Sequence, residues 1–280
     1  VGALRDELEK YDYVITFFGC VVPGHRVLTA DLRWVPVETL QPGDKLVGFD
    51  ERGPRREYRE STVIHNTPVV KNIVEVHLSD GTSITCSDDH PLLVGAERRW
   101  VRADRLWQAS RGLEKVSWLQ REMQPWDVDN SREAGWLAGF ADGEGHVSKR
   151  HFGVSMAQNP GSVLERAKAS LRAKGFAVVD HIKNRQYSID FTGGRPESLR
   201  FLGSMRPTRL LEQFNVDALG QLKTWPQEKL IVEEVIQRGK AEVCGLGTTT
   251  QTYLVDGFGS HNTRFDVPFL NTRLLLNGER

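Results

Sequence analysis

Three consecutive residues near the end of the chain, His261, Asn262 and Thr263, combine an imidazole, a side-chain amide and a hydroxyl. Taken alone, such a triplet is typical of a turn or a helix cap, because Asn and Thr form local hydrogen bonds there. The triplet gains meaning only if other reactive groups stand at corresponding points elsewhere in the sequence.

Such groups occur far upstream, where Gly19 precedes Cys20 and Ser87 stands three residues before His90. A thiolate is an intrinsically strong nucleophile, and an imidazole can transfer protons near neutral pH. Singly, a cysteine or a histidine is more often a buried structural residue. The combination of these residues is more informative than any one of them alone.

In this order, these residues resemble those of inteins, which excise themselves and join their flanks. The resemblance covers Cys20 to Asn262 and includes the N-terminal block "CVVPGHRVLTADLRWVPVETLQPGDKLVGFDE" and the C-terminal block "TYLVDGFGSHN" before Thr263. In the block between them, Ser87 takes the position of the usual threonine. The resemblance implies an all-β, horseshoe-like Hint fold for the splicing domain.

The resemblance also implies a role for each residue. The Cys20 thiol attacks the Gly19 carbonyl and converts that amide to a thioester. His90 polarises or protonates the departing nitrogen, and Ser87 hydrogen-bonds the same peptide and helps to hold it strained.

At the other end, Thr263 attacks the thioester through its hydroxyl. Asn262 then cyclises to a succinimide with the assistance of His261, and an O-to-N shift joins Gly19 to Thr263. Such splicing needs no cofactor. A hedgehog-type autoprocessing domain would share the fold, but it needs no C-terminal asparagine.

The sequence departs from the family pattern at three positions. Gly245 stands where the C-terminal block usually has an aspartate, Gln251 is nearest to the usual upstream histidine, and His25 stands where an aspartate is frequent. Cys244 is either a core residue or a participant in the second step.

The hydrophobic pattern divides the chain. Residues 21–100 alternate short apolar stretches with turn signals, which is typical of β structure. An α-β-β-α-β-β-α pattern follows, whose first helix has Asn130 as its expected cap and Glu133 three residues on. After Trp225 the β pattern returns as "KLIVEEVIQ", "AEVCGLGT" and "TYLVDGFG". The predicted α+β organisation is an N-extein fragment, a splicing domain in two parts around an inserted unit, and a C-extein fragment, at residues 1–19, 20–128, 129–224, 225–262 and 263–280.

The stretch "WLAGFADGEG" in the inserted unit resembles the LAGLIDADG motif of homing endonucleases. Gly135, Ala138 and Gly139 would give a helix face on which a second helix can pack closely. The resemblance implies that Glu144, with its neighbour Asp142, is catalytic and binds Mg²⁺, which prefers oxygen ligands.

Only one such motif is present, so an active nuclease would need a homodimer on double-stranded DNA. One alternative is a degenerate unit whose endonuclease is silent. Another is a degenerate intein whose splicing residues are vestigial and which acts only as a DNA-binding module. Between Asn130 and Leu210, thirteen Lys and Arg residues stand against seven Asp and Glu residues, a modest indication of nucleic-acid binding. The predicted phosphate contacts are Lys149, Arg150, Arg166, Lys168, Arg172, Lys174, Lys183 and Arg185.

The flanks, when joined, read "FGTRFDVPFL" and resemble the second acidic motif of DnaQ-like 3′–5′ exonucleases, including those of family-B DNA polymerases. In that motif Asp266 would be a metal ligand, although an ordinary strand followed by a helix fits nearly as well. The sequence has no apolar run long enough to span a membrane. Its three scattered cysteines do not suggest a disulfide framework, so a reducing cytoplasm is expected.

Overall fold

The computed structural model describes residues 19–51, 56–95, 98–108, 116–148, 152–183, 186–222 and 229–262. No helix within these ranges is both long and apolar enough to cross a membrane. Predictions that lie outside the described residues concern most of the flanking segments and the side chains Lys149, Arg150, Arg185, Thr263 and Asp266.

The larger of the two sheets in the described structure is antiparallel and has eleven strands, and we call it the β domain. Its order is β2-β1-β14-β15-β6-β8-β13-β4-β3, with β5 added on β4 and β7 added on β6. The strands are β1 (Arg26–Leu28), β2 (Trp34–Pro36), β3 (Lys45–Asp50), β4 (Glu57–Leu78), β5 (Ser83–Ser87), β6 (Pro91–Val94), β7 (Arg99–Arg102), β8 (Trp118–Gln120), β13 (Lys229–Thr248), β14 (Thr252–Val255) and β15 (Phe258–His261).

The two longest strands of this sheet, β4 and β13, pair with each other along most of their length. The sequence predicted two strands within the range of β13, but the structure has one. The hydrogen bonding between β13 and β4 continues past several register shifts. One of these shifts lies between Gln237 and Gly239, where Gly239 has a φ of +79°. Glycine tolerates this left-handed conformation, so the strand bulges instead of ending.

The chain leaves the β domain after β8 and returns at β13, and these two strands pair through Gln120 and Lys229. The elements between them, from α1 to α4, are here called the inserted unit. They follow the α-β-β-α-β-β-α order expected from the sequence, with one extra short helix, and their sheet has the order β11-β12-β10-β9. They are α1 (Arg132–Glu144), β9 (Gly145–Ser148), β10 (Gly153–Ala157), α2 (Ser162–Ala173), β11 (Val178–Lys183), β12 (Gln186–Phe191), α3 (Gly194–Met205) and α4 (Thr208–Glu212).

The first helix of the inserted unit begins one residue later than the cap at Asn130 predicted. Ser131 is the N-cap, and its hydroxyl accepts a hydrogen bond from the Ala134 amide at 3.2 Å. The Asp129 carboxylate accepts from the Ser131 amide at 2.9 Å and holds that residue in the extended conformation that a cap requires. The prediction was wrong because this local bond favours serine as the cap.

The inserted unit and the β domain share one hydrophobic core. Trp126 connects them: its indole nitrogen donates to the Leu32 carbonyl at 3.2 Å, and Gly203 of α3 packs against the ring. A Cβ atom at Gly203 would overlap the indole nitrogen and lie 2.7 Å from the Leu32 oxygen. The glycine is therefore required by close packing between the two parts.

We expect Gly203→Ala to lower the free energy of unfolding by about 1–3 kcal/mol, because an extra methyl group overpacks this contact. Urea unfolding of a Cys20→Ala, Asn262→Ala background, which lacks both predicted reactive side chains, would measure it. Gly139→Ala is the matched control, since it also lies in a helix but a Cβ there meets nothing within 4 Å. Equal stability of the two variants would contradict the packing argument.

Candidate active site

The segment that follows Gly19 runs between two strands from distant parts of the sequence. Val21 forms bridges with Cys86 of β5 and with Cys244 of β13. Its carbonyl accepts from the Cys244 amide at 2.8 Å, and the Cys20 carbonyl accepts from the Ser87 amide at 2.9 Å. The backbone around the predicted nucleophile is thus fixed from both sides.

This position between β5 and β13 places Gly19 in contact with the residues around Asn262. Gly19 has a φ of +82°, and a Cβ atom there would overlap the carbonyl oxygen of His261 and lie 3.4 Å from Asn262 Cα. The peptide bond between Gly19 and Cys20 therefore lies close to Asn262. A residue with a side chain would fit neither this backbone conformation nor this contact.

The predicted nucleophile, Cys20, is connected to a series of hydrogen-bonded polar side chains. Cys20 is fully buried, and its amide donates to the Ser87 hydroxyl at 3.2 Å. That hydroxyl donates to Asp89 at 2.6 Å, and Lys71 donates to the other oxygen of Asp89 at 2.8 Å. Burial raises the pKa of the Cys20 thiol to about 12, and Lys71 opposes this in part.

The sequence reasoning missed Asp89 and Lys71. A signal for Asp89 was present, because it stands beside His90 in "SDDH". Lys71 comes from β4, and its sequence neighbourhood contains nothing that indicates chemistry.

His90 lies buried with one nitrogen tied to the C-terminal block. Its Nε2 forms a 2.8 Å hydrogen bond with the Ser260 hydroxyl, a partner that the sequence did not indicate. Its Nδ1 is buried without a partner of normal hydrogen-bond geometry among the described residues, although the Gly19 backbone is near enough to raise the ring's pKa in part. Burial dominates and lowers the pKa of His90 to about 3, so the ring is neutral at physiological pH.

Asn262 is held by its main chain and not by its side chain. Its amide donates to the Gln251 carbonyl at 2.9 Å, while its side-chain oxygen is buried without a hydrogen-bond partner among the described residues. Gln251, which takes the position of the usual histidine, therefore contributes through its backbone. It adopts a left-handed conformation with a φ of +64°.

His261 is held by a carboxylate and an aromatic ring. Its Nε2 lies 3.3 Å from Oε2 of Glu51, and its ring contacts Trp100 edge-on with centroids 5.1 Å apart. Burial opposes ionisation of Glu51, but hydrogen bonds from His261, Arg56 and Trp100 outweigh it and lower the pKa of Glu51 to about 2. No sequence pattern predicts that Glu51 belongs to the site.

The contacts of Cys244, and of His25 among the departures from the family pattern, explain the structural role of each residue. Cys244 is 6% exposed and packs in the apolar cluster of Val21 and Cys86, whereas Cys20 belongs to a separate cluster. This favours the interpretation of Cys244 as a core residue. His25 Nδ1 donates a hydrogen bond to Asp256, and its Nε2 accepts from the Thr85 amide at 3.0 Å, so the ring connects the N-terminal block to β5 and to the C-terminal block.

The carboxylates of the inserted unit have separate environments. Asp142 accepts backbone hydrogen bonds from Thr208 at 2.8 Å and Leu210 at 3.2 Å, so it fixes the start of α4. Glu144 is exposed at the end of α1. Among the described residues, no group of three or more His, Cys, Asp or Glu side chains could hold a metal ion.

Several predicted DNA contacts form ion pairs within the chain. Of the other candidates, Arg172 is exposed, and for Lys183 only the main chain is described. The pairs are Arg166 with Glu133 at 2.9 Å, Lys168 with Asp180 at 3.1 Å and Lys174 with Asp129.

Comparison with known proteins gives one kind of match. No protein-family model matches the chain, and no curated protein does. Inteins and an intein-like domain are among the similar solved structures. A bacterial intein-like domain from Clostridium thermocellum is 14% identical, with a TM-score of 0.41 over 87% of this chain and 99% of that one. A DnaB intein from Synechocystis sp. PCC 6803 is 11% identical, with a TM-score of 0.40 over 88% and 99%. The gp41-1 intein is 10% identical, with a TM-score of 0.35 over 87% and 98%.

Because these identities and TM-scores are low, the functional proposal rests on the geometry at Gly19 and Asn262.

The low pKa of His90 predicts an acid-sensitive fold. Below the ordinary histidine pKa of 6.5, the unfolded chain binds a proton that the folded ring does not bind until about pH 3. His90 therefore lowers the free energy of unfolding as the pH falls through this window, by up to about 1.4 kcal/mol per pH unit.

In the Cys20→Ala, Asn262→Ala background, His90→Gln should make the unfolding free energy decline less steeply between pH 6.5 and pH 4. Urea titrations at several pH values would measure the slope. The exposed His146, changed to Gln, is the control. An unchanged slope in His90→Gln would show that the buried ring is not the source.

Proposed function

We propose that this chain splices itself, with Cys20 as the first nucleophile and Asn262 as the residue that releases the segment. The observation that carries the proposal is the contact of Gly19 with the His261 carbonyl and Asn262. Two linkages 243 residues apart, counted from Cys20 through Asn262, can exchange acyl groups only if they are held together.

The first step transfers the Gly19 acyl group from the Cys20 nitrogen to its sulfur. Because the thiol is buried and protonated, it must give up its proton as it attacks, and the departing nitrogen must gain one. The Ser87 hydroxyl holds the N–H of that nitrogen at 3.2 Å, with Asp89 orienting the hydroxyl. Neutral His90, held by Ser260, is oriented to polarise the same peptide.

The later steps act on the C-terminal side. The Thr263 hydroxyl takes over the acyl group from Cys20, and the Asn262 side-chain nitrogen then attacks the Asn262 backbone carbonyl. No described residue hydrogen-bonds the side-chain oxygen of Asn262, which supports this role because the amide can turn without breaking a bond to any of them. All of these steps use residues of this chain alone.

The test is the mass of the products formed by the expressed chain. Splicing joins residues 1–19 to residues 263–280, so a 37-residue peptide should accompany the excised segment. Asn262→Ala should abolish the ligated peptide, whereas Asn130→Ala, at an exposed asparagine of the inserted unit, should not. An unchanged product pattern in Asn262→Ala would overturn the proposal, and N-terminal cleavage without ligation would favour the hedgehog-type alternative.

We also propose that the inserted unit derives from a LAGLIDADG homing endonuclease that works as a homodimer on double-stranded DNA. One face of α1 supports this, because Gly135, Gly139 and Gly143 stand four residues apart and a Cβ at any of them meets nothing within 4 Å. Such a face permits the close approach of a second helix.

The described residues of one chain contain no group of three or more carboxylate, His or Cys side chains that could hold Mg²⁺. Asp142 accepts backbone hydrogen bonds at the start of α4, and Glu144 is exposed at the end of α1. Two chains related by a twofold axis along α1 would bring two copies of Glu144 together. Among the described side chains, the exposed Arg172 is the best supported phosphate contact, because Arg166, Lys168 and Lys174 form ion pairs within the chain.

If the nuclease is active, Glu144→Gln should abolish nicking of plasmid DNA that carries the uninterrupted host sequence, and splicing should continue. Incubation with Mg²⁺ followed by gel electrophoresis would measure nicking. Glu212→Gln, at another exposed glutamate of the unit, is the control. Salt-sensitive DNA binding without nicking in the parent would instead support a unit that only binds DNA.

A further inference from the structure

Glu51 follows β3, far in sequence from both reacting ends, yet it contacts His261. Its Oε2 atom lies 3.3 Å from His261 Nε2. Trp100 packs edge-on against the same imidazole with centroids 5.1 Å apart. The ring is therefore fixed in position by a carboxylate on one nitrogen and by an indole on its side.

The carboxylate is itself oriented by two donors on its other oxygen. Arg56 Nε donates to Oε1 at 2.6 Å, and Trp100 Nε1 donates to the same atom at 2.8 Å. With Oε1 occupied in this way, Oε2 is directed to the imidazole. The four side chains form a connected group in which each charge has a partner.

The C-terminal block has a particular need for such support. Gln251 replaces the usual upstream histidine and holds Asn262 through its backbone carbonyl alone. His261 is the only histidine after His181 in the sequence, so proton transfer at Asn262 depends on one imidazole from this region.

We propose that Glu51 is a positioning residue for His261 in the cleavage at Asn262, a role that rests on the splicing function proposed above. A hydrogen bond from Nε2–H to Glu51 leaves Nδ1 as the atom that can accept a proton. The carboxylate also stabilises the imidazolium that forms when it does, as a carboxylate does for the histidine of a serine-protease triad.

The reaction that His261 serves is balanced within the chain. The Asn262 side-chain nitrogen forms a bond to the Asn262 backbone carbonyl carbon, and the bond from that carbon to the Thr263 nitrogen breaks. The proton lost by the side-chain nitrogen passes through His261 to the departing Thr263 amine. Glu51 neither gains nor loses a proton.

The test separates the two ends of the reaction. In a Cys20→Ala background, release of residues 263–280 reports C-terminal cleavage. In an Asn262→Ala background, thiol-induced release of residues 1–19 by dithiothreitol reports the first step. Glu51→Gln should slow C-terminal cleavage about ten- to a hundredfold, a range found for partners that orient a functional histidine. It should change thiol-induced release by less than about twofold, and Glu51→Asp should recover part of the C-terminal rate.

Glu60→Gln is the matched control, because it removes the same charge from an exposed ion pair with Lys45 in the β domain. Equal slowing of both reactions by Glu51→Gln, or no slowing of C-terminal cleavage, would overturn the proposal. If the parent backgrounds themselves show neither thiol-induced release nor C-terminal cleavage, the splicing function is wrong instead. Unfolding curves of each variant would identify any that fail to fold.

Discussion

The contact of Gly19 with the backbone of His261 and Asn262 is the constraint on which the rest of the site depends. It exists because Val21 bridges β5 and β13 together. Those strands are in turn aligned by β4, which pairs with both. An error of one residue in these registers would turn every side chain to the opposite face of the sheet, so the long paired strands fix the site as well as the core.

Burial shapes the electrostatics at this contact. It raises the pKa of Cys20 to about 12 and lowers that of His90 to about 3, which in both cases favours the neutral group. The charged residues nearby are paired, Lys71 with Asp89 and Glu51 with Arg56. They can therefore orient the neutral groups and stabilise charge that develops during reaction, without placing an isolated charge in the interior.

The sequence predicted those parts of the molecule that local patterns determine. Apolar alternation indicated the short strands, and apolar periodicity indicated the helices of the inserted unit in their observed order. Local patterns could not predict contacts between distant residues that meet only through strand pairing. Glu51 meets His261 because Phe49 of β3 is hydrogen-bonded to Thr252 of β14, and Thr252 pairs with His261 of β15. No pattern around Glu51 or His261 indicates the other residue. Likewise, Cys244 of β13 packs in the cluster of Val21, whereas its neighbour Val243 packs in the cluster of Cys20, because successive residues of a strand point to opposite faces.

The relation between the two parts of the chain follows from the same sheet. Since β8 and β13 pair with each other, the inserted unit begins and ends at neighbouring points, and the β domain can close without it. The shared core, in contrast, makes the β domain and the inserted unit depend on each other. Gly203 of the unit packs against Trp126 and Leu32 next to the strands that the unit interrupts. The inserted unit therefore stabilises the β domain by burying apolar surface, independently of any action on DNA.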